Sequence, residues 1–211
     1  MYISLGNDIK KTVFFLYLIS VMLFPNTTYA QAGNVNNPDN FITNVTNLAL
    51  IEIQKTIESG RMDLDSINVV VDNYILPHVD FFKTTKLTAG KHWKIATDEQ
   101  RKALIKVFRN TLVKTYRSAF SLISKNTKIK VLPYRGEAKS NDAIIKSFVQ
   151  QSNGKQIQIN YRLTRHGNTW KIYDVSIEGM WLIESYRNQF NNEIHSNGID
   201  TLIEKLDKIH K

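Results

Sequence analysis

The side chains able to do chemistry are few and scattered. Five histidines, His78, His92, His166, His195 and His210, show neither an HExxH spacing nor a paired one, and the chain has no cysteine. Zinc sites are built from such residues at short fixed intervals, so no metal is expected and no cofactor is called for. His78-Val79-Asp80 sets an imidazole near a carboxylate, as general acid/base catalysis requires, but a single such pair arises often by chance. Asp174, in the strand over Trp170–Ile177, is the better enzyme candidate. Gly-rich phosphate loops, a nucleophile elbow and a Walker sequence are all lacking, which leaves nucleotide chemistry without support. Nor are the aromatics laid out along a strand as an RNA-stacking platform. No catalytic residue is assigned, and the chain is expected not to be an enzyme.

The elements that would position functional groups are clearer. Ile157, Ile159, Tyr161 and Leu163 alternate with Gln158, Asn160, Arg162 and Thr164, the period of a half-buried antiparallel strand. A turn at Arg165-His166-Gly167-Asn168 leads to a partner over Trp170–Ile177, with Tyr173, Val175 and Ile177 on one side. From Met180 the apolar spacing changes to three and four through Leu182, Ile183, Tyr186 and Phe190, an amphipathic helix folding back over the sheet, which Gly198 ends before a last helix of Ile199, Leu202, Ile203, Leu206 and Ile209. Two further strands are expected at Lys128–Leu132 and Ala143–Gln151, the latter joined to the central pair by an Asn153-Gly154 turn.

Upstream, Pro38 and Asp39 open a helix to about Ser59, with Ile42, Val45, Ala49, Ile53 and Ile57 on one stripe and Gly60 as its stop. Ile67–Leu76 is valine-rich but reads as helix behind an Asp65-Ser66 cap, and Pro77 is expected to start another. Thr97-Asp98-Glu99-Gln100 has capping-box spacing, placing a helix to about Ile123 whose buried stripe is Leu104, Phe108, Leu112, Tyr116, Ala119 and Ile123. Arg109 lies on the flank of that stripe and needs a carboxylate, Asp72 or Asp80. Helices first, a curved four-stranded antiparallel sheet second and covering helices third make an α+β architecture. Such sheets resemble the nuclear-transport-factor-like superfamily, whose cone-shaped pocket serves enzymes in some members and plain binding in others.

The N-terminal stretch belongs to targeting. Lys10 and Lys11 precede a 13-residue apolar run, Thr12–Phe24, then Pro25 and small residues ending at Ala30 or Ala32. That is a secretory signal, too short for the roughly 20 residues of a membrane span. Its removal leaves residues 31–211 as a single domain, helical over about 39–124 and sheet with covering helices over about 128–210. The expected location is periplasmic. The remaining 26 basic and 18 acidic residues are unevenly spread, since residues 83–117 hold ten Lys or Arg against Asp98 and Glu99. A basic field of that size suits nucleic acid, an anionic membrane or an acidic protein, and export argues against nucleic acid. A solvated helix face explains it equally well.

The run WKIYDVSIEGMWLIESYRNQF followed by GIDTLIEKL resembles the toluene-tolerance family of periplasmic phospholipid-binding proteins, the MlaC-like component of the Mla lipid-asymmetry pathway. The likeness extends more loosely through NYILPHVDF and WKIATDEQRKALIKVFRNTLVKTY, covering most of the chain after residue 65. It implies that the single domain is a lipid-binding one and the protein a lipid carrier without catalytic residues, whose partners are phospholipid, an inner-membrane ABC-type lipid transporter complex and an outer-membrane lipoprotein complex. Pattern alone leans to a closed core; the resemblance implies one left open for an apolar ligand. The inward stripes then nominate Val70, Phe81, Trp93, Leu104, Phe108, Leu112, Ile159, Tyr161, Val175 and Ile177 as pocket walls, and the basic block nominates Lys91, Lys94 and Lys106 for docking.

Overall fold

The computed structural model describes residues 37–61, 63–120, 123–137 and 139–208, so the signal segment, the cleavage positions at Ala30 or Ala32 and Ile209 lie outside the described residues. Helix α1, Pro38–Glu58, starts on a proline that presets the first turn and buries Phe41, Ile42, Val45, Ala49 and Ile53, one stripe at helical spacing. Helix α2, Leu64–Val70, is capped by Asp63, whose carboxylate accepts from the Ser66 amide at 2.7 Å. The cap is thus two residues earlier than the Asp65 expected. The segment then widens into a π-turn, Val71–Ile75, and tightens into a 3₁₀ turn, Leu76–His78, so Pro77 sits inside an irregular connection rather than opening a helix. Tertiary contacts impose this: Val79 bridges Ile172, the Asp80 amide donates to the Ile172 carbonyl at 2.8 Å, and the Lys171 ammonium donates to the Pro77 carbonyl.

Helices α3, Phe81–Ala89, α4, His92–Ile95, and α5, Asp98–Phe120, follow. Asp80 caps α3 through the Lys83 amide at 2.8 Å. The capping box before α5 forms in both directions, with the Gln100 amide donating to Thr97 Oγ1 at 3.2 Å and the Thr97 amide donating to Gln100 Oε1 at 3.0 Å. Arg109 takes Asp72 as its carboxylate at 3.4 Å, Asp80 being occupied as a cap.

Strands β1, Lys128–Val131, β2, Asp142–Gln150, β3, Gln156–His166, β4, Thr169–Ile177, and β5, Met180–Trp181, form one antiparallel meander. The sheet has five strands, not four. Met180 and Trp181 pair with Ile177 and Ser176 before the helix begins, so helix α6, Leu182–Lys208, starts two residues later than the periodicity suggested. The β2–β3 connection spans residues 151–155, longer than a two-residue turn, and is closed by the Gln151 amide on the Lys155 carbonyl at 2.9 Å. Register puts Ala143 beside Leu163, Ile145 beside Tyr161, Tyr161 beside Val175 and Ile159 beside Ile177, all on the inner face. A bulge after Arg162 leaves Tyr173 unpaired, which removes it from the Val175–Ile177 row where simple alternation would place it.

Three apolar clusters result. Phe41, Ile42, Ile145, Leu163 and Trp170 join α1 to the sheet. Trp93, Leu104, Phe108, Phe190, Leu202 and Leu206 join α4, α5 and α6. Ala49, Ile53 and Val70 join α1 to α2. Between them the interior is not filled.

Candidate functional site

A closed core would leave its inward side chains inaccessible, yet Ile157, Ile159, Val175 and Ile177, all on the inner face of the sheet, are only half-buried. They border a cavity of about 380 Å³ that is open to solvent, within the roughly 300–1,000 Å³ usual for small-molecule sites. The sheet supplies one side. Val45, Ala49, Leu50 and Ile53 of α1, the irregular segment through Val71, Ile75, Leu76 and Val79, Phe81 of α3, and Leu112, Tyr116 and Phe120 of α5 supply the others.

Several polar atoms on this lining are already engaged. Thr46 Oγ1 donates to the Ile42 carbonyl at 2.8 Å, Thr84 Oγ1 lies 2.8 Å from the Asp80 carbonyl and 2.7 Å from the Tyr173 carbonyl, and Thr127 Oγ1 accepts from the Ser124 amide at 2.9 Å. Burial, with neighbouring Tyr186 second, pushes the Tyr116 phenol up to about 12, so it remains a neutral hydroxyl. Burial likewise raises the Tyr161 phenol, against a hydrogen bond from Ser147. What faces the cavity is therefore mostly methyl, methylene and ring surface. Such a surface gains by covering hydrocarbon and loses by admitting charge.

Among the described residues Asp174 is the single charged one along the lining, and its carboxylate is committed elsewhere. Fully buried, it accepts from Arg162 Nη1 at 2.8 Å, the Val175 amide at 3.0 Å and the Ile183 amide at 3.1 Å, tying β3, β4 and the start of α6 together. Arg162 in turn reaches Glu184 at 3.2 Å and stacks on Trp181 with its guanidinium carbon 3.8 Å from the ring centroid. Burial raises the carboxyl despite those donors. The residue offered by the sequence as an enzyme candidate thus has its carboxylate held in a structural clamp. His78 and Asp80 also part company: the imidazole packs edge-on to Phe41 at 5.6 Å while Asp80 caps α3. Among the described residues no group of His and carboxylates is placed to hold a metal.

Of the ten predicted walls, Phe81, Leu112, Ile159, Tyr161, Val175 and Ile177 border the cavity. Val70 packs instead with Ala49 and Ile53, and Trp93, Leu104 and Phe108 lie in the cluster under α6. The reason is that α5 changes partner along its length, its first turns meeting α6 and its later turns the cavity. Walls that sequence reasoning missed include Val71, Ile75, Leu76 and Val79; the signal available was a Val/Ile-rich stretch with no helical stripe of its own. Ile157 and Val149, also missed, share the strand parity of Ile159 and its partner Ser147. Lys91, Lys94 and Lys106 are all exposed.

Comparison with known proteins adds relatives. A family model described as MlaC protein matches residues 44–208. The chain is 27% identical over 158 residues to the intermembrane phospholipid transport system binding protein MlaC of Haemophilus influenzae, covering 74% of this chain and 73% of that protein. It is 25% identical over 187 residues to the toluene tolerance protein ttg2D of Pseudomonas putida, covering 87% and 83%. Among solved structures, the phospholipid-binding protein of Ralstonia solanacearum in complex with a phospholipid superposes with a TM-score of 0.75 at 30% identity, covering 82% of this chain and 96% of that one.

Proposed function

The chain belongs to the MlaC family, and from that premise we propose that it is a periplasmic carrier that holds a phospholipid by its acyl chains and moves it between the inner and outer membranes. The observation that carries this reading is the open cavity, bordered by sheet and helices and lined by hydrocarbon surface. A Ralstonia relative of the same fold, whose structure contains a phospholipid, supports it. No helix among the described residues is long and apolar enough to cross a membrane, in keeping with a carrier that travels. The partners in this reading are an inner-membrane ABC-type transporter complex and an outer-membrane lipoprotein complex, and the exposed Lys91, Lys94 and Lys106 steer the carrier to acidic partner surfaces or anionic headgroups.

Native mass spectrometry of protein isolated without detergent, followed by solvent extraction, tests the proposal directly. The expected result is a mass increment matching phospholipid recovered in the extract. A single bare mass, with no phospholipid extracted and no uptake from liposomes, would sink the carrier reading.

A further inference from the structure

Helix α3 works on two sides. Phe81 and Thr84 border the cavity, whereas Phe82, the next residue after Phe81, is 55% exposed, and the exposed Lys86 holds its ammonium 5.8 Å from the Phe82 ring centroid. Gly90 then takes φ 57° and ψ −125°, a conformation that side-chain-bearing residues avoid, and turns the chain at once into α4. At the end of that turn Ile95 is 80% exposed, the most exposed large apolar side chain described. The base of this knuckle is firm. Trp93 packs edge-on to Phe82 with centroids 5.5 Å apart, and Arg101 of α5 donates to the Trp93 carbonyl at 3.1 Å and the Lys94 carbonyl at 3.3 Å.

The same segment carries Lys86, Lys91 and Lys94, all exposed and none ion-paired among the described residues. Other cations of the basic block are neutralised: Lys83 by Asp142 at 2.8 Å, Arg101 by Asp98 at 2.9 Å. Three of the charges left over therefore lie on the segment that carries the exposed apolar groups, and Lys102 and Lys106 of α5 add two more beyond it.

We infer that the knuckle of residues 81–96 is a membrane-docking surface, with Phe82 and Ile95 entering the headgroup boundary of an anionic bilayer and Lys86, Lys91 and Lys94 meeting its phosphates. Apolar side chains flanked by lysine, whose stem tolerates the boundary while its ammonium stays with the headgroups, match the chemistry of an anionic lipid interface. A protein partner is the poorer fit, because protein interfaces are depleted in lysine and their anchors fill pockets. The inference rests on the carrier reading, in which lipid passes between the cavity and the membranes, and it places the contact on a helix that also forms part of the cavity wall.

Flotation with phospholipid vesicles tests it, with the lipid content of the same preparation read by mass spectrometry. The purified protein should float with phosphatidylglycerol-containing vesicles at low salt and not with pure phosphatidylcholine vesicles. Replacing Lys86, Lys91 and Lys94 together by Gln should lower the affinity on the order of a hundredfold, at about one kcal/mol per lysine. Ile95→Ser, at a side chain that packs on almost nothing, should lower it at least roughly tenfold while the copurified lipid and the circular dichroism stay unchanged. Lipid-loaded protein that ignores anionic vesicles, or an Ile95→Ser variant that floats like the wild type, overturns the docking surface and leaves the carrier reading intact. Retention on polyglutamate beads without vesicle binding assigns the knuckle to an acidic protein and overturns it equally.

Discussion

Asp174 and Ile159 occupy neighbouring strands but answer to opposite chemistry. The Asp174 carboxylate satisfies two backbone amides and Arg162, so Asp174→Asn should lower stability by about 2–3 kcal/mol in urea unfolding without abolishing lipid binding. Its pH dependence has a definite sign. Burial raises this carboxyl above its ordinary 3.8, and a group raised in the folded state contributes its full stability below the unfolded value, then loses it as pH rises through the folded one. The difference between wild type and Asp174→Asn should be largest below pH 3.8 and shrink above it; a difference that grows with pH contradicts the assignment. Ile159→Glu places a charge on the cavity surface, where the neighbouring side chains offer hydrocarbon. Copurifying lipid should disappear while the far-ultraviolet dichroism persists, since the cost falls on the bound state more than on the strand.

At the scale of elements, Gly198 has φ 83° and ψ 167° within α6 and splits it into arms of residues 182–197 and 199–208. The fold needs the break because Leu202 and Leu206 must turn back onto Phe190, Leu104 and Phe108. A Cβ there would meet nothing within 4 Å, so Gly198→Ala should cost about 1–3 kcal/mol from backbone strain alone, read as a lower urea midpoint with an unchanged slope. The sequence made this break legible because glycine interrupts two amphipathic stripes. It made the strand register legible too, since one face of β3 is apolar from Ile157 to Leu163. Other elements left no such trace. A two-residue strand such as Met180–Trp181 has no period to detect, and the π and 3₁₀ turns over 71–78 are imposed by the Val79–Ile172 bridge rather than by local preference. The cavity was half legible for a related reason: an apolar stripe announces burial but not its partner. Leu104 and Phe108 share a stripe with Leu112 and Tyr116, yet only the last two meet the cavity.

For the molecule as a whole, the consequence of an open apolar cavity is that cargo should exchange by contact rather than through water. Each acyl CH₂ withdrawn from water gains about 0.8 kcal/mol, so a chain of about 14 such groups gains on the order of 11 kcal/mol before ordering costs. A bilayer interior offers the same chain nearly the same environment, so passage between membrane and cavity is close to balanced and the carrier itself needs no ATP. Two results follow for the loaded protein. Stripping its lipid should lower the melting temperature by roughly 8–16 °C, the equivalent of about 4 kcal/mol for a ligand present at 1,000 times its Kd in a chain of this size. Transfer of a fluorescent phospholipid from carrier to acceptor vesicles should accelerate in proportion to vesicle concentration, and dilution of the carrier into buffer alone should release almost none. A transfer rate that saturates at a value independent of acceptor vesicles would mean that lipid leaves through water, which a hydrocarbon-lined cavity opposes at every methylene.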